Sequence, residues 1–133
     1  MDLYSENILD HSRNPRHWHA LENPDIDYEE SNPLCGDHLH LMLHVDDNGV
    51  ITEVGWEGQG CAISKASASM LGEQLVGMKL EDARNISKEE VLENIGLPLG
   101  PVRVKCALLS LKVLKAGAYG LSSPEGAPMP SAE

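Results

Sequence analysis

Three cysteines carry most of the chemistry that this 133-residue chain can offer, and the residues around each favour a thiolate. Cys35 lies in Asn32-Pro33-Leu34-Cys35-Gly36-Asp37, a turn-forming run that presents the thiol at a loop tip just before a strand. Cys61 follows Gly58-Gln59-Gly60 at the entry of a helix, where the positive end of the macrodipole and free backbone N–H groups stabilise negative sulfur. Cys106 reads into the first turn of the last helix beside Lys105, whose charge also lowers a thiol pKa. All three are thus expected at element ends. The thiolate is the form that binds metal and attacks sulfur, so convergence of the three would make one reactive or metal-binding cluster. Three thiolates are one short of a closed tetrahedral site, and Asp37, two residues beyond Cys35 on the same loop, is the nearest carboxylate. Such a mixed hard and soft ligand set is less settled than an all-thiolate one, which suits assembly or transfer better than pure structure.

Other readings compete. Cysteine is also a small hydrophobe that is often inert in a core, and Gly-Asp is common in turns for conformational reasons alone. His38, His40 and His44 share one strand face, and His-x-His is able to bind zinc or iron, although the face opposite an apolar stripe is ordinarily solvated. His17 and His19, flanking Trp18, make a weaker pair. A Cys-His nucleophilic dyad lacks any run that marks an oxyanion hole.

Composition narrows the field. Ten Lys and Arg against 21 Asp and Glu give a formal charge of −11, which argues against nucleic acid and against an anionic membrane surface as partners. No stretch approaches about 18 uninterrupted apolar residues, and Met1 to Arg16 has neither a basic start nor an apolar segment, so a cytoplasmic protein is expected. An odd cysteine count does not suit a fully paired secreted scaffold. The charge is uneven: residues 1–30 hold eight acids and two bases, whereas 98–124 hold four bases and no acid. That basic stretch is either a partner surface or the solvated side of an amphipathic helix.

The elements that must position these residues follow from periodicity. Asp2 to Ser12, with Leu3, Tyr4, Ile8 and Leu9 near helical spacing, predicts a short helix ended by Asn14-Pro15. Residues 13–38 read as irregular, with an edge strand near Tyr28. Leu39, Leu41, Leu43 and Val45 alternate with His38, His40, Met42 and His44, the period of a half-buried strand. Asp46-Asp47-Asn48-Gly49 closes a hairpin, and Val50 to Trp56 returns until Glu57-Gly58-Gln59-Gly60 ends it. Cys61 to Val76 predicts a helix of small residues stopped at Gly77, Leu80 to Asn85 a second short one, and the capping box Ser87-Lys88-Glu89-Glu90 a third ending at Gly96. Leu97-Pro98-Leu99-Gly100-Pro101 is a linker. The last helix is expected from Arg103 to Gly117, with Ala107, Leu111, Leu114 and Ala118 on one face and Lys105, Lys112 and Lys115 on another sector. One domain over residues 1–120 and a disordered tail over 121–133 complete the expectation.

Three motifs together are similar to one family. Asn32-Pro33-Leu34-Cys35-Gly36-Asp37, Gly58-Gln59-Gly60-Cys61-Ala62-Ile63-Ser64-Lys65-Ala66-Ser67-Ala68-Ser69 and Arg103-Val104-Lys105-Cys106-Ala107-Leu108-Leu109 resemble the U-type iron-sulfur cluster assembly proteins, IscU, SufU and the N-terminal domain of NifU. Tyr4, Ile8, Asp10-His11 and Pro15 extend the resemblance over roughly residues 3–115. It implies an α+β fold, a small antiparallel three-stranded sheet with helices packed on one face. It also implies Cys35, Cys61 and Cys106 as ligands of a 2Fe-2S cluster or of Zn2+ or Fe2+ at the same site, with Asp37 as an exchangeable fourth ligand. The implied partners are a cysteine desulfurase, which gives persulfide sulfur, and recipient apo iron-sulfur proteins. Cys35, as a mobile loop thiol, is the candidate persulfide acceptor, and Lys105 the candidate charge stabiliser. Lys105 stands where scaffold-type members carry histidine, as in the SufU-like branch, whereas the 45-residue interval between Cys61 and Cys106 is closer to IscU. Only part of the proline-rich loop that IscU-type proteins offer to an Hsp70 is kept, as Leu99 to Arg103, and His17-Trp18-His19 replaces a usual Asn, aromatic, Gly run. The alternatives to a cluster scaffold are a zinc-dependent sulfurtransferase that activates the desulfurase without holding a cluster, and a zinc-stabilised adaptor.

Overall fold

A computed structural model describes residues 6–32, 36–96 and 99–118. The elements run α1 (Glu6–Arg13), β1 (Ile26–Asn32), β2 (Asp37–Val45), β3 (Ile51–Gln59), α2 (Ala62–Leu75), α3 (Leu80–Ala83), α4 (Lys88–Ile95) and α5 (Pro101–Ala118). The strands form one antiparallel sheet in the order β1-β2-β3. The expected α+β architecture, with helices on one face of a three-stranded sheet, is what forms.

The alternation in β2 decides which face is covered. Leu39, Leu41 and Leu43 are fully buried, and Tyr28 from β1 and Val54 and Trp56 from β3 join them against Leu71 and Leu75 of α2 and Leu109, Val113 and Leu114 of α5. On the other face, His38, His40 and His44 meet carboxylates: His40 Nε2 lies 2.5 Å from Asp27 Oδ1, His38 Nε2 3.5 Å from Glu29 Oε1, and His44 Nδ1 2.6 Å from Glu53 Oε1. The edge strand expected near Tyr28 forms as the seven-residue β1, and the pairs from His40 to Asp27 and His38 to Glu29 tie its acids to β2. The segment before β1 also lies against the sheet. His17 O accepts from Trp56 N–H at 2.8 Å, Trp18 packs on the core, and Gly55 leaves room for the His19 carbonyl, which a Cβ would meet at 2.4 Å.

β3 continues to Gln59, beyond the expected stop, because Gly58 lets it pass close to β2. Its φ is +137°, and a Cβ there would lie 2.0 Å from His38 O. Small residues bring α2 and α5 together: buried Ser67 donates to Ala107 O at 2.6 Å and lies 3.2 Å from Ser110 Oγ. A second core forms where α1 and α4 close over this pair, from Ile8, Ile63, Ala66, Met70, Ile95 and Ala107. Ser87 and Glu90 form the expected capping box on α4, and Gly96 ends it with φ 73°. α3 is shorter than expected, and α1 continues one residue further, to Arg13. α5 begins at Pro101 and not Arg103, since proline suits the first helical position. Its buried side also exceeds the expected stripe: Ala107, Leu111, Leu114 and Ala118 are buried, and so are Leu109, Ser110, Val113, Ala116 and Gly117. No helix among the described residues is long and apolar enough to cross a membrane. Leu3, Tyr4, the loop thiol Cys35, the linker residues Leu97 and Pro98, and the expected tail lie outside the described residues.

Candidate metal centre

The ends of β2 and α2 meet beside the flank of α5. One ligand atom each from Asp37, Cys61 and Cys106 lies within 4.8 Å of the others, and among the described residues this is the one such group of three or more His, Cys, Asp or Glu. The histidine alternative therefore has no corresponding geometry: His38, His40 and His44 engage carboxylates pairwise across the sheet.

Each ligand arrives for a local reason. Asp37 is not on the loop, as its turn-forming neighbours imply, but is the first residue of β2, paired with Asn32 and only 3% exposed. Gly36, at φ +71°, donates its N–H to Asn32 O at 2.9 Å and closes the β1–β2 connection that contains Cys35. Asp37 tolerates burial because donors surround it. Its Oδ1 accepts from the Cys61 N–H at 3.1 Å, and its Oδ2 accepts from the Ser64 hydroxyl. Lying against the start of α2, the carboxylate also meets the positive end of that helix.

Cys61 occupies the N-cap position of α2 with extended backbone (φ −74°, ψ 174°) and an exposed side chain, as the Gly-x-Gly entry implies. Its side chain caps no helix N–H, leaving Sγ directed at the site, 3.9 Å from Asp37 Oδ2 and 3.8 Å from Ser64 Oγ. Gly60 permits this approach, since a Cβ there would lie 3.0 Å from Ser64 Cβ and 3.2 Å from Asp37 Cγ and Oδ1.

Cys106 corrects the expectation that every thiol sits at an element end. With α5 starting at Pro101, Cys106 falls beyond its first turn, and it is 2% exposed. Lys105 beside it is exposed, and its side chain takes part in no ion pair or hydrogen bond among the described residues. The basic side of α5 is engaged in part, as Lys112 Nζ lies 2.6 Å from Glu30 Oε2. Ser64 was not evident as a site residue in the sequence. The available signal was its place one helical turn after Cys61, which puts both on the same side of α2.

A tetrahedral metal with metal–sulfur bonds of ~2.3 Å has ligands about 3.8 Å apart, so the observed spacing suits two thiolates and a carboxylate oxygen around one ion. The donor set is of zinc and iron type.

Known proteins show which family the chain belongs to. Residues 3–124 match the family described as NifU-like N terminal domain, and the chain belongs to that family. It is 34% identical over 126 residues to the iron-sulfur cluster assembly scaffold protein IscU of Haemophilus influenzae, covering 92% of this chain and 98% of that protein. It is 36% identical over 132 residues to the zinc-dependent sulfurtransferase SufU of Bacillus subtilis, covering 86% and 88%. Among solved structures, a putative iron-sulfur cluster assembly scaffold protein for the SUF system from Fervidobacterium islandicum is similar with a TM-score of 0.73 and 30% identity, over 87% of this chain and 96% of that one.

Proposed function

We propose that this protein accepts persulfide sulfur from a cysteine desulfurase and assembles or relays a 2Fe-2S cluster on Cys35, Cys61 and Cys106, with Asp37 as the exchangeable fourth ligand. The observation that carries this reading is the convergence of Asp37, Cys61 and Cys106 from three separate elements. Cys35 joins them on sequence grounds: lying two residues before Asp37, its Cα is held by the chain within about 7 Å of the Asp37 Cα.

The roles follow from the surroundings. Cys106 is a fixed ligand, buried on a packed helix, whereas Cys61 is exposed at a helix start. Cys35 is the acceptor: its thiolate attacks the outer sulfur of the desulfurase persulfide, the old S–S bond breaks, and the desulfurase thiolate leaves as the new persulfide forms. Iron, sulfide and the finished cluster are cargo. Exchange of one hard oxygen ligand among sulfur ligands gives that cargo a route out. Exposed Lys105 lies next to Cys106 in the chain and supplies positive charge near a site that gathers anionic sulfur. Zn2+ held by the same four residues would keep the thiols deprotonated.

A second reading is a zinc-dependent sulfurtransferase, favoured by the similarity to SufU and by lysine at position 105. Anaerobic incubation with a cysteine desulfurase, cysteine and ferrous iron separates the two. A visible cluster chromophore that Cys35→Ser abolishes supports assembly. Faster cysteine turnover with zinc retained and no chromophore supports transfer. If neither appears and zinc removal merely unfolds the chain, the protein is a zinc-stabilised adaptor.

A further inference from the structure

Ser64 is fully buried on the first turns of α2, and its single hydroxyl proton has two oxygen acceptors. One is Asp37 Oδ2, the other the Cys106 carbonyl oxygen at 3.2 Å. Cys61 Sγ lies 3.8 Å from the same hydroxyl. One oxygen thus touches all three residues of the candidate metal centre while contributing no sulfur or carboxylate of its own. The second acceptor matters because a helix carbonyl keeps a lone pair beyond its intrahelical bond.

We propose that Ser64 is a positioning residue that makes ligation by Asp37 reversible. Without metal, the hydroxyl donates to Asp37 Oδ2 and holds the buried carboxylate ready, while the Cys61 N–H holds Oδ1. When a metal takes Oδ2, the hydroxyl turns to the Cys106 carbonyl. It turns back as the carboxylate leaves the metal. In either state the hydroxyl has an acceptor, so exchange does not strand it, and no proton enters or leaves the site. A bond from a hydroxyl to a carboxylate is stronger than one to a neutral carbonyl, so the swap favours the metal-free state and weakens the oxygen ligand selectively. The inference rests on the metal-centre reading above and deepens it, because it assigns the lability of the site to a residue that is not a ligand.

Zn2+ is the probe, with the full chain compared as wild type, Ser64→Ala and Ser64→Thr. Alanine suits this stretch of α2, where Ala62, Ala66 and Ala68 already occur. For Ser64→Ala the expected result is Zn2+ release to a chelator slowed about ten-fold, the loss of a charge-assisted bond in the metal-free state exceeding that of a neutral one in the loaded state. Thermal stability of the metal-free form should fall by more than that of the loaded form. Ser64→Thr, keeping the hydroxyl, should release Zn2+ at close to the wild-type rate whenever it folds. Equal destabilisation of both forms with unchanged release, or faster release from Ser64→Ala, overturns the proposal. Failure of the wild type itself to take up Zn2+ is a different result. It overturns the metal-centre reading, and this inference with it.

Discussion

Replacing Gly60 with alanine separates the stability of the fold from the geometry of the site. Gly60 has no positive φ, so alanine is permitted by its backbone, and the substitution alone would stabilise by about 0.4–1 kcal/mol through the unfolded chain. The added methyl meets Ser64 Cβ at 3.0 Å and Asp37 Cγ and Oδ1 at 3.2 Å, against an ordinary carbon contact of about 3.5–4.0 Å. Those neighbours must move by a few tenths of an ångström, an overpacking cost of roughly 1–3 kcal/mol. The two effects partly cancel, leaving a net destabilisation of no more than about 2–3 kcal/mol. The site has no such compensation, because the displaced atoms include those of the ligating carboxylate, which would shift off the Cys61 N–H that holds its Oδ1. Loss of a metal site's supporting contacts typically weakens binding about 10–100-fold, and that range is expected here. Urea unfolding of the metal-free protein reads the first quantity, and competition for Zn2+ against a chromophoric chelator reads the second. A folded Gly60→Ala protein that binds Zn2+ within about two-fold of wild type would mean that metal binding does not need Asp37 in its observed position.

Gly58→Ala should do the reverse, because its Cβ would lie 2.0 Å from the backbone oxygen of His38 at φ +137°. Loss of at least ~3 kcal/mol, or no folded protein, is expected from chemical unfolding. Stability should also respond to pH through two histidines with opposite signs. Burial lowers the His11 pKa, more than Glu73 and Asp10 raise it, and Arg16 lowers it too, so the unfolded chain binds the proton more readily. Its contribution is complete above the ordinary imidazole value of ~6.5 and is lost as pH falls from there through the folded value, a loss that His11→Gln should remove from the stability profile. The Glu22 carbonyl first, and then the Glu53 carboxylate, raise the His44 pKa. Its contribution is complete below ~6.5 and disappears as pH rises through the raised value, so His44→Gln should flatten the profile on that side. Ser67→Ala removes the buried bond to Ala107 O and should cost about 1 kcal/mol in thermal unfolding.

Local signals made much of the fold legible. The Leu39-Leu41-Leu43 stripe, the Ser87 capping box and the Gly77 and Gly96 stops each depend on a few neighbouring residues, and each appears near its expected place. What escaped depends on distant partners. Asp37 looks like a turn residue until α2 brings the Cys61 N–H and the Ser64 hydroxyl to it from more than twenty residues away. β1 is expected near Tyr28, but its extent depends on acids that are poor strand formers and whose histidine partners sit on β2. Pro101, suited to the first helical position, sets Cys106 deeper in α5 than the first turn. The convergence of Asp37, Cys61 and Cys106 followed from no spacing, and only the family resemblance anticipated it.

Cys35, Asp37, Cys61 and Cys106 are proposed to form one metal centre. X-ray absorption of the Zn2+-loaded full chain tests it most directly. Three sulfur neighbours at ~2.3 Å and one oxygen at ~2.0–2.2 Å are expected, with one sulfur lost in Cys106→Ser. A first shell of nitrogen and oxygen alone, unchanged by Cys106→Ser, would contradict it.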